Sequence, residues 1–354
     1  MIEQAYAFEI NGEPIFCARF GNGHINDTYL LVDESARQYI LQKINRFVFR
    51  DPESLMRNIV AVTKHQSKTA KSHREALALV PAANGADWLT GKDGEIWRMY
   101  EFVSDSLCLE KVESPGDFRE SALAFGRFQR QLADFPAHTL TETIPRFHDT
   151  PHRYDAFHAA VGADSFGRAK SVAREIDFAL KHEQFAFTLM NLLEKGELPL
   201  RVTHNDTKLN NVLFDRGTRK ALCVIDLDTV MPGLSVNDFG DSIRFGATTA
   251  AEDERDLEKV SFSLPLYEAY TGGFLESCGE RLTPCEKEHL PHGAKMMTLE
   301  CGIRFLTDYL SGDTYFHTRR DGQNLDRCRT QFKLVDDMDK NWSQMQKTVS
   351  EAIG

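Results

Sequence analysis

A net charge of −11 over 354 residues argues against a nucleic-acid partner, because nucleic-acid-binding proteins usually present a basic face. Apolar residues make up 42% and charged residues 27%, as in ordinary soluble globular proteins, and the length suggests two lobes. The amino terminus lacks a signal-peptide pattern, no stretch reaches the apolar length of a membrane span, and the seven cysteines form no C-x-x-C pair. These features predict reduced thiols and a cytoplasmic protein without a membrane or nucleic-acid partner.

Two short apolar runs, residues 16–20 and 28–32, flank a glycine-containing loop near the amino terminus. The loop reads GNGHIND, and a strand–loop–strand pattern of this kind indicates a hairpin. Residues without a side chain let backbone N–H groups approach phosphate oxygens, so Gly21 and Gly23 are candidates for a phosphate-binding loop. His24 and Asn26 could reach phosphate, and His24 could equally be a turn residue. An ordinary hairpin turn is the alternative, and Asn26 stands where protein kinases have a third glycine.

A third strand with alternating pattern is predicted at residues 37–44, and it contains Lys43. This lysine is the candidate to pair the α- and β-phosphates of a nucleotide, with a solvent-exposed strand lysine as the alternative. Residues 51–68 then form a predicted helix, whose single Glu, Glu53, lies in the first turn. We therefore expect the lysine–glutamate ion pair of protein kinases to be absent.

Further strands are predicted at residues 77–81, 88–89 and 96–103. In kinase folds the last of these leads to the hinge, so Glu101 and Val103 are candidates to meet adenine, and the lobe boundary is placed near Ser104. A simple core strand is the alternative. Helical spacing dominates afterwards, and predicted helices cover residues 115–135, 175–193, 254–270, 284–309 and 325–351.

A polar stretch between residues 198 and 245 contains the candidate chemistry. Asp206 and Asn211 bracket a loop before a short strand, and Asp226 ends the next strand after a turn at residues 215–217. Because the two strands are antiparallel, these three side chains can converge at one edge. One carboxylate that accepts a proton, with an amide and a second carboxylate that hold magnesium, is what phosphoryl transfer from a nucleotide requires.

The pattern H-x-D-x-x-x-x-N is also the catalytic-loop pattern of protein kinases and of the aminoglycoside and choline phosphotransferases. With HNDTKLNN, VIDLDT, GNGHINDTYL and FHDTPHR, the chain resembles the bacterial N-acetylhexosamine 1-kinases from Gly21 to about residue 340. The resemblance implies an α+β, protein-kinase-like fold of two lobes. Residues 1–103 would form a small, mainly antiparallel β lobe that binds the nucleotide, and residues 104–354 a larger helical lobe with the catalytic loop and sugar site.

The resemblance further implies transfer of the γ-phosphoryl group of ATP to the 1-hydroxyl of N-acetylglucosamine or N-acetylgalactosamine. Asp206 would be the catalytic base, and Asn211 and Asp226 would bind Mg²⁺. An ion pair between Asp241 and Arg244, and a packing role for Arg304, are structural alternatives for two of the proposed sugar contacts. The acceptor candidates are Asp206, Thr229, Asp241, Arg304 and Tyr315.

The tripeptide Asp238-Phe239-Gly240 spells the metal-binding motif of protein kinases, but it lies well after the strand that ends in Asp226. We expect Asp238 to be structural. Two other functions remain open: a kinase of the same fold acting on another alcohol, such as an amino alcohol, an aminoglycoside or another sugar, and a nucleotide-binding pseudokinase. A monomer and a dimer are both compatible with the sequence.

Overall fold

Five antiparallel strands form a sheet near the amino terminus of the computed structural model, which describes residues 3–21, 23 and 25–354. The spatial order of these strands is β1-β2-β3-β5-β4, and β1 and β2 are the predicted strands on either side of the glycine loop. Residues 77–81, which were expected to form a strand, contain an isolated bridge from Leu79 to Tyr100 instead. The strands are β1 (Pro14–Arg19), β2 (Asp27–Asp33), β3 (Gln38–Lys43), β4 (Leu89–Thr90) and β5 (Ile96–Glu101).

The two faces of this sheet have different partners. One face, with Leu41 and Met99, packs against the short amino-terminal turn at Glu3–Ala7. The opposite face, with Tyr100, belongs to the core that includes helix α1 (Pro52–Gln66) and the hairpin after the catalytic loop. Asp51 caps α1 by accepting a hydrogen bond from the backbone N–H of residue 54 at 3.0 Å.

The remaining chain is mainly helical, as predicted. Three of the predicted helices are interrupted, at Phe187, His289 and Asn341, and the helix expected from residue 254 begins at Leu264. The helices are α2 (Pro115–Gln131), α3 (Thr150–Ala163), α4 (Ala173–Ala186), α5 (Thr188–Glu194), α6 (Ser235–Gly246), α7 (Leu264–Cys278), α8 (Pro284–Glu288), α9 (Leu290–Leu310), α10 (Gln323–Lys340) and α11 (Trp342–Ile353).

Two small sheets lie between these helices. β6 (Ser106–Cys108), β8 (Val212–Asp215) and β9 (Ala221–Val224) form an antiparallel sheet, in which β8 and β9 are the predicted hairpin. β7 (Arg201–Thr203) pairs with β10 (Met231–Gly233) and leads into the catalytic loop. The division of the chain at residues 103 and 104 stays a prediction.

Helices α6 and α9 cross at very close range. A Cβ atom at Gly240 of α6 would lie 2.1 Å from the carbonyl oxygen of Gly293 on α9, and a Cβ at Gly293 would lie 2.0 Å from the carbonyl oxygen of Val236. Glycine at both positions therefore permits the backbones to touch. Within residues 3–21, 23 and 25–354, no helix is both long and apolar enough to cross a membrane.

Candidate functional site

The β8–β9 hairpin brings Asp206, Asn211 and Asp226 together. Its register places Asn211 opposite Ile225, whose N–H donates to the Asn211 carbonyl at 2.9 Å. The Asn211 side-chain amide donates to the carboxylate of Asp206 at 3.2 Å and to its carbonyl oxygen at 2.8 Å. Asp226 follows Ile225 directly and has a left-handed backbone, with φ +60°. The three side chains predicted to converge thus lie at one edge of the hairpin.

Negative charge accumulates around Asp226. Burial, followed by the charges of Asp228 and Asp206, raises the pKa of Asp226 to about 6. A divalent cation would relieve this crowding, and carboxylate and amide oxygens are ligands that Mg²⁺ accepts. In the described part of the chain no cluster of three or more His, Cys, Asp or Glu side chains is arranged as a metal site. Two protein ligands are nevertheless sufficient for Mg²⁺ held mainly by phosphate oxygens and water.

Lys208 also reaches Asp206, the candidate base, a contact that the sequence reasoning missed. Its ammonium group lies 2.7 Å from Oδ1 of Asp206. Burial alone would lower the pKa of Lys208, but the charge and hydrogen bond of Asp206, with the charge of Asp241, together raise the pKa above its ordinary value. The available signal was a lysine two residues after Asp206 within the catalytic loop. A cation at this position can neutralise charge on a transferring phosphoryl group.

Asp238 holds the catalytic loop by its backbone. The Asp238 carboxylate accepts the N–H groups of His204 and Asn205, each at 2.8 Å, and the side-chain amide of Gln129 at 2.7 Å. Asn205 has a left-handed backbone, with φ +64°, and it immediately precedes Asp206. The buried Asp238 thus fixes a strained residue beside the candidate base.

A second buried pair connects the loop before α3 to the catalytic loop. His148 Nδ1 lies 2.9 Å from Glu300 on α9, and His148 Nε2 lies 3.3 Å from the carbonyl oxygen of Asn205. Burial alone would lower the pKa of His148, but the charge and hydrogen bond of Glu300, with the charge of Asp241, together raise it. The hydroxyl of Thr150 donates to the other Glu300 oxygen at 2.6 Å. A protonated His148 can therefore donate to both acceptors.

Two of the acceptor candidates, Thr229 and Asp241, form hydrogen bonds with the backbone of the catalytic loop. The hydroxyl of Thr229 donates to the His204 carbonyl at 2.6 Å. Asp241 accepts the N–H of Thr207 at 2.9 Å and pairs with Arg244 at 2.9 Å. The structure therefore gives both side chains a loop-supporting contact, and Asp241 does form the ion pair that was the structural alternative. Their contacts with a sugar stay predictions.

The other two acceptor candidates lie together on a more open side. The guanidinium of Arg304 lies 5.5 Å from the ring centroid of Phe147, 5.4 Å from that of Phe316 and 5.9 Å from that of Tyr315. Tyr315 is 70% exposed. The structure thus forms an aromatic-flanked arginine site at one end of α9.

Lys43 lies on the face of the five-stranded sheet that points away from Asp206, Asn211 and Asp226. It shares its face with Leu41, it pairs with Glu95, and its ammonium lies 5.8 Å from the centroid of Trp97. The neighbouring positions Gln42 and Arg98 point to the other face, where Arg98 pairs with Asp228. The structure does not bring Lys43 together with the catalytic residues, and its contact with phosphate stays a prediction.

The remaining nucleotide candidates lie in the loop between β1 and β2 and at the end of β5. Gly21 has a positive φ of +78°, and a Cβ at Gly21 or Gly23 would meet no atom within 4 Å. His24 lies outside the described residues. Glu101 is exposed and its N–H donates to residue 78, whereas the carbonyl of Val103 accepts the hydroxyl of residue 106 at 2.6 Å. Their nucleotide contacts stay predictions.

Comparison with known proteins gives the family. A family model described as the phosphotransferase enzyme family matches residues 17–271. An aminoglycoside phosphotransferase from Alicyclobacillus acidocaldarius has a TM-score of 0.64 at 13% identity, with 99% of this chain and 97% of that chain covered. A microcompartment-associated aminopropanol kinase has a TM-score of 0.61 at 15% identity, with 97% of each chain covered.

An amicoumacin kinase in complex with AMP-PNP, Ca²⁺ and Ami has a TM-score of 0.59 at 12% identity, with 96% of this chain and 92% of that chain covered. At these identities the likeness is one of fold. The predicted α+β, protein-kinase-like fold, with an antiparallel sheet followed by a larger helical part, is confirmed. Since the family model covers well over half of the sequence, the chain belongs to the phosphotransferase enzyme family.

Proposed function

We propose that the chain is an ATP-dependent kinase that phosphorylates an N-acetylhexosamine, GlcNAc or GalNAc, at the 1-hydroxyl. The observation that carries this proposal is the contact of Asp206 with both Asn211 and Lys208 in the loop just before the hairpin. A carboxylate, an amide and a cation are gathered there for phosphoryl transfer, and the sugar assignment rests on the sequence resemblance. The nucleotide would bind within residues 1–103, and the sugar would bind within residues 104–354.

In this mechanism the oxygen atoms of Asp206 hold the sugar 1-hydroxyl and accept its proton. Asn211 and Asp226 would hold Mg²⁺, which neutralises phosphate charge when it is bound. Lys208 is placed to share its charge between Asp206 and the transferring group. Positioning and charge neutralisation therefore account for most of the catalysis. The amicoumacin kinase of similar fold, which contains AMP-PNP and Ca²⁺, supports a nucleotide and a divalent cation.

The acceptor side favours a neutral sugar over a cationic alcohol. Among the ion pairs of the described residues none involves Arg304, and Arg153 beside it has no carboxylate within ion-pair distance either. Burial, followed by the charge of Arg304, lowers the pKa of Arg153. Two such guanidinium groups repel an ammonium group, and they can donate to the hydroxyl and amide oxygens of an N-acetylhexosamine.

A kinase of the same fold acting on another alcohol is the second candidate. The aminopropanol kinase and the aminoglycoside phosphotransferase, whose folds are similar, favour it. A pseudokinase is disfavoured because Asp206, Asn211 and Asp226 are all present at the hairpin edge.

The test is a panel of acceptors with ATP and Mg²⁺ in which ADP release is measured. The panel contains N-acetylglucosamine, N-acetylgalactosamine, glucose, galactose, 1-amino-2-propanol, choline and one aminoglycoside, and NMR assigns the phosphorylated position. We expect turnover with the N-acetylhexosamines and phosphate on O1. Turnover restricted to the amines would instead establish the second candidate.

The matched variant in this assay is Asp206→Asn. We expect its kcat to fall roughly 10²–10⁴-fold because the amide cannot accept the hydroxyl proton. The affinity for nucleotide, measured by calorimetry with AMP-PNP, should stay at the wild-type value. Wild-type kcat in this variant would remove Asp206 from the role of base.

A further inference from the structure

Helix α1 does not supply the carboxylate that a protein kinase pairs with its strand lysine. Its Glu53 lies in the first turn, 3.7 Å from Arg57, and Lys43 pairs with Glu95 on the far face of the sheet. In the middle of α1, Asn58 binds backbone groups instead, donating to residue 141 at 2.7 Å and to residue 230 at 3.0 Å. The helix is therefore attached to the catalytic half of the chain, but without an ion pair to β3.

A different ion pair connects residues 1–103 with residues 104–354, the part that contains the catalytic loop. The Asp228 carboxylate accepts Arg98 of β5 on Oδ1 and the amide of Asn26, from the glycine loop, on Oδ2. Arg98 Nε donates to Gln42 at 2.9 Å, and Gln42 donates to Thr28 at 3.0 Å. Since Thr28 lies two residues after Asn26, these contacts close a ring around one carboxylate from the catalytic half.

The ion pair in this ring is almost completely buried, whereas Asn26, Thr28 and Gln42 are partly exposed. Arg98 is 1% exposed and Asp228 is 3% exposed. Burial alone would lower the pKa of Arg98, but the charge and hydrogen bond of Asp228, with Tyr100 and Asp226, together raise it. With so little surface, Arg98 cannot touch a phosphate from the cleft, so any effect on the reaction must pass through the groups that it holds. Asp228 lies two residues after Asp226, in the turn that presents the candidate metal ligand.

We propose that Arg98 and Asp228 form a positioning pair that holds the glycine loop and the Asp226 turn in one arrangement, in place of the lysine–glutamate pair. The expected effect of the pair on kcat/KM rests on the proposed function. The expected effect of the pair on binding of a magnesium nucleotide does not. Removal of one partner leaves the other charge buried and uncompensated. Lysine at position 98 keeps the charge but loses the fork that contacts Gln42.

The experiment compares Arg98→Gln, Arg98→Lys, Asp228→Asn and the double variant Arg98→Gln/Asp228→Asn. Lys295→Met is the matched control, because Lys295 pairs with Asp339 at the contact of α9 and α10 and is also buried. Calorimetry gives the Kd for AMP-PNP with Mg²⁺, thermal unfolding gives Tm, and steady-state kinetics separate the KM for ATP from kcat.

We expect Arg98→Gln and Asp228→Asn to lower kcat/KM for ATP on the order of 10²-fold, as a displacement of about 1 Å can do. Their Kd for the magnesium nucleotide should rise, Arg98→Lys should recover part of the loss, and the double variant should be no worse than the poorer single variant. Lys295→Met should lower Tm while Kd stays at the wild-type value.

Wild-type Kd and kcat/KM in a folded Arg98→Gln variant would overturn the inference, and so would losses that simply add in the double variant. If Arg98→Gln does not fold, Arg98→Lys provides the test. Wild-type Kd and kcat/KM in Arg98→Lys would likewise overturn the inference. A wild-type protein that binds the magnesium nucleotide but phosphorylates no sugar would overturn the proposed function, and the Kd comparison would still test the pair.

Discussion

Replacement of Asp238 by Asn tests how the catalytic loop is supported. The Asp238 carboxylate accepts two backbone N–H groups, and the Asn side chain has the same shape but one oxygen. If that oxygen accepts the hydrogen bonds from His204 and Gln129, the new NH₂ group faces the N–H of Asn205. Two hydrogen-bond donors then face each other without an acceptor. At least one charge-assisted hydrogen bond is therefore lost whichever way the amide turns.

Such a bond contributes about 1.5–3 kcal/mol, and an unsatisfied buried N–H adds to the loss, so we expect unfolding to become easier by about 2–4 kcal/mol. Asn205 precedes Asp206 and has φ +64°, so its release displaces the base. A displacement of about 1 Å lowers kcat roughly 10²-fold. Urea unfolding measures the first effect, and ADP release at saturating ATP and sugar measures the second.

Asp33→Asn is the control, because Asp33 is also buried, but its two backbone N–H donors, at 2.9 and 3.0 Å, share the single oxygen Oδ1, which the asparagine oxygen can replace. This control should keep most of its stability and its kcat. The reasoning is refuted if Asp238→Asn is as stable as Asp33→Asn and turns over at the wild-type rate.

Three further predictions concern charge, pH and packing. Lys208→Met should lower kcat about 10²-fold with little change in stability, since a charge aimed at the transferring group is lost; an unchanged kcat would show that the lysine only pairs with Asp206. Burial, with the charges of two neighbouring groups, lowers the pKa of His292 to about 4. Between pH 6.5 and 4 the unfolded chain binds a proton at His292 that the folded chain does not. The free energy of unfolding should therefore fall by up to about 3 kcal/mol as pH falls through this range. In urea titrations, His292→Gln should make the free energy of unfolding depend less on pH between these values. Gly240→Ala should destabilise the fold by several kcal/mol, because its Cβ would meet a carbonyl oxygen at 2.1 Å. Gly272→Ala on α7 should raise Tm slightly, because a Cβ there meets no atom within 4 Å. Equal Tm values for the two variants would contradict the close crossing of α6 and α9.

The hairpin and its three polar side chains could be predicted from the sequence because strand, turn and strand follow one another within thirty residues. Antiparallel pairing then fixes that Asn211 and Ile225 lie opposite each other, whatever the rest of the fold does. The two strands around the glycine loop were predicted on the same local basis. Most of the helices were predicted, but α3 and α6 were not, and the breaks at Phe187, His289 and Asn341 depend on tertiary packing.

Contacts between distant parts of the chain could not be predicted in this way. Alternation showed that Lys43 and Gln42 point to opposite faces of β3, but only the placement of α1 and the hairpin decides which face meets the catalytic half. Arg98 gave one signal, a charged side chain in an otherwise apolar strand, and its partner Asp228 lies 130 residues away. The support of Asn205 by Asp238 likewise joins separate elements.

The helix α9 has a consequence for redesign of the enzyme. Arg304, Tyr315 and Phe316 lie in the last two turns of α9 and the loop that follows, and Phe147 lies in the loop before α3, while the proposed phosphoryl-transfer groups belong to the β8–β9 hairpin and the loop before it. The two sets are borne by different elements, and the loop is anchored mostly through its main chain. Side chains at the tip of α9 are therefore the natural positions for a library that seeks new acceptors while the reaction machinery is left untouched.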